Sequence, residues 1–162
     1  MKKLLFSFLL GSTLLNCQSD KITAFSEAAL NDKFITIDEN VVPFSAILEQ
    51  HKGQTIFIDV WASWCKDCRK SLPKVKELQQ EFPEMSFVFL SLDKSLGAWK
   101  KGIQTYNLQG DHYFMQSGWK GAIGTFLDLD WIPRYLIIDP DGKIVVYKAI
   151  KTKDKNLRKY LK

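Results

Sequence analysis

Along this chain, short and nearly continuous apolar runs alternate with longer stretches in which apolar residues recur every three or four positions. Phe34-Ile35-Thr36-Ile37-Asp38 alternates and predicts a short strand. Pro43 to Gln50 places Phe44, Ile47 and Leu48 on one side of a helix that Gly53 ends. Thr55 to Trp61 is apolar almost throughout, as expected of a central strand covered on both faces. From Cys65 to about Phe82 the period is helical, with Leu72, Val75, Leu78 and Phe82 facing inward. Pro73 lies inside that helix and is expected to kink it, because it removes one backbone hydrogen bond. Met85 to Leu92 predicts a second buried strand, giving a strand–helix–strand unit with parallel pairing. Residues 95–107 read as helix, Gly110 to Ser117 as an extended or loop segment, and 118–128 as a short helix. Arg134 to Ile138 predicts a third strand, Asp139-Pro140-Asp141-Gly142 a turn, and Lys143 to Tyr147 its hairpin partner. A basic helix over residues 152–161 closes the chain. Without repeats or a low-complexity linker, the pattern fits one α/β domain.

Composition agrees. The chain has 162 residues, 46% of them apolar, which is room for one buried core. An aromatic content of 13% and the lack of a long polar tract exclude collagen, coiled coil and disorder. There are 3 cysteines, Cys17, Cys65 and Cys68, too few for a disulfide-stapled miniprotein and odd in number. The formal charge is +5, from 23 basic and 18 acidic residues. The one dense basic stretch, Lys148 to Lys162, reads as a solvated helix face, so nucleic acid is not an expected partner.

The first 16 residues hold two lysines, then a mostly apolar run from Leu4 to Leu15, as in a secretory signal. A spanning helix needs about 20 apolar residues, so the run is short for an anchor. Leu14-Leu15-Asn16-Cys17 resembles a bacterial lipoprotein signal, in which cleavage leaves the cysteine first and its thiol is diacylated. Asn16 stands where such signals usually have Gly, Ala or Ser. That resemblance implies a signal peptide over 1–16, lipidation of Cys17, a tether over 17–32 and a domain over 33–162. It also implies an extracytoplasmic, periplasmic protein held at a membrane by lipid. The alternative is plain secretion with Cys17 as a free thiol, an awkward group in an oxidising compartment. Cleavage would also remove Lys2 and Lys3, leaving 21 basic against 18 acidic residues, a net charge of +3.

Cys65-Lys66-Asp67-Cys68 admits three readings. A zinc site would need a second pair of ligands, and the remaining candidates, His51 and His112, are not in a paired spacing. A structural disulfide across so short a loop would stabilise little. A redox dithiol fits the position best: the pair lies where a buried strand meets the first turn of a helix, whose free N–H groups favour a thiolate on the first cysteine. Asp59 is the second anomaly, a carboxylate inside an apolar strand, where an unpaired charge is costly. Burial would raise its pKa and let it exchange a proton with Cys68.

The segment Phe57-Ile58-Asp59-Val60-Trp61-Ala62-Ser63-Trp64-Cys65-Lys66-Asp67-Cys68-Arg69, with Pro73 following, resembles the active-site segment of thioredoxin. Trp131-Ile132-Pro133-Arg134-Tyr135-Leu136-Ile137-Ile138-Asp139 resembles that family's cis-proline loop ahead of a strand. The leader, the N-terminal extension and the insertion around 93–128 resemble the membrane-tethered TlpA/ResA-like branch. The resemblance covers roughly residues 34–150. It implies a thioredoxin-like fold: a central mixed β-sheet flanked by helices, with the insertion before the cis-proline loop. It further implies that Cys65 attacks, Cys68 resolves, Asp59 is the buried acid and Pro133 the cis-proline. The Ile132 backbone would then pair with an extended substrate, and Trp64 would form a wall of the site. Two features depart from thioredoxin. Lys66-Asp67 replaces Gly-Pro, and the lysine that partners the buried acid is missing from the apolar run Phe87 to Leu90.

The expected activity is thiol–disulfide exchange on protein disulfides, as a reductase, by a monomer without metal or other cofactor beyond the Cys65–Cys68 pair. A transmembrane electron carrier is the donor that the family implies. The rivals are a peroxidase of the peroxiredoxin group, whose Pro/Thr-flanked lone cysteine has no counterpart here, and a copper carrier using Cys65, Cys68 and one histidine. A partner-binding lip and simple core packing both fit the aromatics of Gly110 to Trp131.

Overall fold

The computed structural model describes residues 21–161. The signal peptide expected over 1–16 and Cys17 lie outside the described residues. In chain order the elements are α1 (Glu27–Leu30), β1 (Lys33–Ile35), β2 (Val41–Pro43), α2 (Phe44–Gln50), β3 (Ile56–Trp61), α3 (Lys66–Glu81), β4 (Ser86–Ser91) and α4 (Leu96–Tyr106). They continue with β5 (Asp111–Phe114), a 3₁₀ turn (Gly118–Lys120), α5 (Ala122–Phe126), β6 (Arg134–Ile138), β7 (Ile144–Ala149) and α6 (Lys155–Tyr160). The strands form one mixed sheet of 7 in the order β2-β1-β5-β4-β3-β6-β7.

The centre of the sheet is where the sequence is most apolar. β3 pairs in parallel with β4, as the strand–helix–strand pattern predicts, and antiparallel with β6 on its other edge. All six positions of β3 are buried, Asp59 among them. The Phe57 ring lies 5.3 Å from that of Phe87 and 5.3 Å from that of Tyr135. The Tyr135 hydroxyl donates to Ser71 Oγ on α3 at 2.8 Å. Because strand side chains alternate between faces, Phe57 and Asp59 share the side of the sheet that Tyr135 ties to α3, while Trp61 at the strand's end meets Tyr106 of α4 at a ring distance of 6.5 Å. Leu72, Val75 and Leu78 of α3 are buried, and Pro73 sits within the helix.

Two elements differ from the sequence pattern. The described part of the expected tether, residues 21–32, packs on the domain: Ser26 caps α1, Ala29 is buried, and Phe25 meets Phe44 and Phe126 at ring distances of 4.9 and 5.2 Å. A helix of one turn has no period to read. The strand expected over Phe34–Asp38 stops at Ile35, turns through Glu39 at φ 65°, and returns as β2. Thr36 closes that turn by accepting from Glu39 N–H at 2.9 Å, and its side chain accepts from Asn40 N–H at 3.1 Å. Of the two alternatives for the segment after Gly110, extended or loop, the chain takes the extended one: β5 adds in parallel to β4. Gly110 holds φ 119°, and a Cβ there would lie 2.5 Å from the Phe87 carbonyl oxygen, so glycine is what lets this strand approach.

Candidate functional site

β3 ends at Trp61, and four residues later the chain enters α3. Cys65 is the N-cap of that helix, and its Sγ accepts the Cys68 N–H at 3.0 Å. Cys65 and Cys68 are joined as a disulfide with a Cα–Cα separation of 5.3 Å. Cys65 is 6% exposed and Cys68 1%, so an approaching molecule meets the first sulfur before the second. The helix N-terminus behind them presents unpaired N–H groups, which favour negative charge on Cys65 whenever the pair is reduced. Lys66 and Asp67 occupy the first turn, and Lys70 Nζ lies 4.0 Å from the Asp67 carboxylate.

The loop across from the disulfide comes from between α5 and β6. Its Ile132–Pro133 peptide is cis, and the Ile132 carbonyl oxygen is 3.6 Å from Cys65 Sγ. The Ile132 N–H has no hydrogen-bond partner among the described residues. Arg134, which the sequence did not single out, pins this loop from beneath. Its buried guanidinium donates to the Leu127 carbonyl at 2.7 Å and to Asp130 Oδ1 at 2.8 Å.

Asp59 lies on the α3-facing side of β3, 1% exposed, and neither carboxylate oxygen has a hydrogen-bond partner among the described residues. Its registered neighbours are Phe89 on β4 and Tyr135 on β6, and no ion pair reaches it from the described residues. Desolvation pushes its pKa up to about 8. The Tyr135 phenol is raised too, first by burial and then by the Asp59 charge.

A second buried acid escaped the sequence reading. Asp93 accepts from Ser63 N–H at 3.1 Å, from Ser63 Oγ at 2.6 Å and from Ser91 Oγ at 2.9 Å. It thereby fixes the loop two residues ahead of Cys65. Gly102 of α4 closes on the same serine: a Cβ there would stand 2.6 Å from Ser63 Cβ. The available signal was a lone carboxylate just past an apolar strand, preceded by Ser91. Asp93→Ala leaves the half-buried Ser63 N–H and the buried Ser91 hydroxyl without their shared acceptor and is expected to cost about 1–3 kcal/mol of stability, measured by denaturant unfolding of the two chains.

A groove of 510 Å³ opens over the disulfide, lined by Trp64, Cys65, Lys66, Trp119, Trp131 and Ile132. Trp64 is 48% exposed and Trp131 59%. The insertion's aromatics thus divide: Trp119 and Trp131 face this groove, whereas Tyr113 is buried and Phe114 packs on Trp99 at a ring distance of 5.8 Å. The histidines stay apart from the cysteines. His51 Nδ1 is 3.0 Å from Ser86 Oγ, and His112 stacks on Phe89 at 4.9 Å. Burial lowers the pKa of both imidazoles. Among the described residues no group of three His, Cys, Asp or Glu side chains could hold a metal ion. No described helix is long and apolar enough to cross a membrane.

Comparison with known proteins agrees with this geometry. The family described as thioredoxin-like matches over residues 53–144. The chain is 32% identical over 102 residues to the thiol-disulfide oxidoreductase ResA of Bacillus cereus, covering 60% of this chain and 56% of that protein. It is 31% identical over 117 residues to ResA of Bacillus thuringiensis, covering 71% and 66%. It therefore spans less than two thirds of either relative. A Bacteroides vulgatus protein, solved in solution as a candidate thiol-disulfide oxidoreductase, superposes with a TM-score of 0.62 at 30% identity, over 92% of this chain and 91% of that one.

Proposed function

We propose that this chain, which belongs to the thioredoxin-like family, reduces protein disulfides outside the cytoplasm. The observation that carries the reading is a helix-capping Cys65, bonded to Cys68 and facing the cis Ile132–Pro133 loop across 3.6 Å. In the reduced protein the Cys65 thiolate attacks one sulfur of a substrate disulfide. The substrate S–S bond breaks, a mixed disulfide forms, and the departing sulfur leaves as a thiolate that takes up a proton. Cys68 then attacks Cys65 Sγ, the ionised form of Asp59 accepts the Cys68 proton, and the second substrate sulfur departs as a thiolate that takes up a proton in turn. Two electrons have moved to the substrate, and Cys65–Cys68 is the disulfide seen here.

The substrate backbone aligns beside Ile132, whose N–H is free to pair strand against strand, and Trp64 and Trp131 flank the reacting sulfur. Regeneration needs a two-electron thiol donor. For a protein outside the cytoplasm that donor is a transmembrane carrier, the leader with Cys17 points to a lipid anchor at the membrane, and the chain acts as a monomer.

Mixing the chain with a protein disulfide and excess dithiothreitol tests this reading. Catalysed reduction is expected, with no consumption of peroxide and no Cu(I) bound stoichiometrically under anaerobic titration. Absence of catalysed reduction contradicts it. Peroxide turnover or Cu(I) binding lost in Cys65→Ser would favour the peroxidase or the copper carrier.

A further inference from the structure

Trp131 is a wall shared by two depressions. One is the groove over Cys65; the other, of 440 Å³, lies on the far side of the indole, between α3 and the segment that follows β7. Asp67 also borders both. The second depression has an apolar floor of Trp131, Pro133 and Ile150, and Ile150 is 51% exposed. Its rim carries Lys70 and Lys74 from α3 and Lys151 and Lys153 from the segment after β7, against Asp67 as the one acid.

The four lysines are not equivalent. Lys70 stands 4.0 Å from Asp67, and Lys74 is bridged to Glu77. Lys151 and Lys153 have no acidic partner among the described residues. Exposed apolar surface ringed by unneutralised cations, and continuous with a reacting groove, suits an occupant that brings both an apolar body and negative charge. A chain extended along Ile132 and past Pro133 reaches this depression directly after its cysteine has met Cys65.

We propose that this depression is a subsite for an acidic segment of the substrate polypeptide, with Asp or Glu a few residues from the attacked cysteine. The proposal rests on the disulfide-exchange reading and names its substrate class. Lys151 and Lys153 receive the carboxylates, and Trp131 and Ile150 receive the apolar neighbours. Its effect falls on the rate of encounter and the orientation of the disulfide, not on the intrinsic reactivity of Cys65.

The test uses the reduced full chain and three disulfides under rapid mixing: two peptides identical except for Glu or Lys beside the cystine, and one small uncharged disulfide. The Glu peptide is expected to react about tenfold faster than the Lys peptide at low salt, with the advantage shrinking as salt screens it. Lys151→Glu with Lys153→Glu should abolish or invert the preference while leaving the uncharged disulfide unaffected. Reversing Lys101 and Lys143, which do not line the depression, should keep it. Equal rates for the two peptides, or loss of the preference on reversing the remote pair, overturn the subsite while the uncharged disulfide still reacts. If none of the three disulfides reacts, the exchange reading falls and takes the subsite with it.

Discussion

Asp59→Asn is expected to make the oxidised protein more stable at pH 8 while slowing the reaction it performs. Burial without a partner lifts the Asp59 pKa from 3.8 to about 8. The folded chain therefore keeps a proton that the unfolded chain releases. A raised carboxyl pKa contributes stability that is fully present below the unfolded value and is lost as pH rises toward the folded one. At about 1.4 kcal/mol per pKa unit, the parent should lose roughly 3–4 kcal/mol between pH 5 and 8 through this group alone. Asparagine does not titrate, so the difference between the two chains should grow by that amount over the same window. Denaturant unfolding at both pH values measures it, and a difference that does not change with pH contradicts the burial argument. In the same variant the resolving step loses the group that accepts the Cys68 proton, with an expected slowing of about a hundredfold. Stability and activity would thus move in opposite directions at one residue, the usual cost of holding a polar group in a core for chemistry.

Replacing the two cysteines should give unequal results. Cys65→Ser removes the attacking sulfur, and catalysed reduction of a protein disulfide is expected to fall by about a thousandfold or more. Cys68→Ser leaves the attack intact but removes the sulfur that resolves the adduct. One turnover should proceed, and the chain should then stop as a mixed disulfide. Single-turnover and steady-state rates measured on both variants separate the steps. The inequality follows from position: Cys65 caps the helix beneath the groove, while Cys68 is sealed one turn inside it. Equal single-turnover rates for the two variants would mean that this placement does not decide which sulfur reacts.

Much of this arrangement was legible because it rests on local patterns. The continuous apolar run of β3, the helical period after Cys65 and the turn at Asp139 to Gly142 each carry their own signal, and β3, α3, β6 and β7 lie close to where that signal places them. The anomaly of a carboxylate among Ile56–Trp61 translated directly into the buried, unpartnered Asp59. What escaped depends on contacts between distant segments. Asp93 reads as an ordinary acid after a strand until the fold brings Ser63 within 2.6 Å of it. Arg134 would pass for a surface cation, but the loop at Leu127 and Asp130 wraps its guanidinium. The short β2 and α1 have too few residues to show a period, and the segment at α1 is held by Phe25, just ahead of it, meeting Phe44 and Phe126 across the fold.

The central claim is that Cys65 attacks and Cys68 resolves. It is tested most directly by mass spectrometry of acid-quenched mixtures of a protein disulfide with two chains. Both carry Cys17→Ser; one also carries Cys68→Ser and the other Cys65→Ser. One disulfide-linked adduct per chain is expected at Cys65 in the first, formed at least about a hundredfold faster than any adduct at Cys68 in the second. Comparable rates for the two, faster capture at Cys68, or no adduct at Cys65 would contradict it.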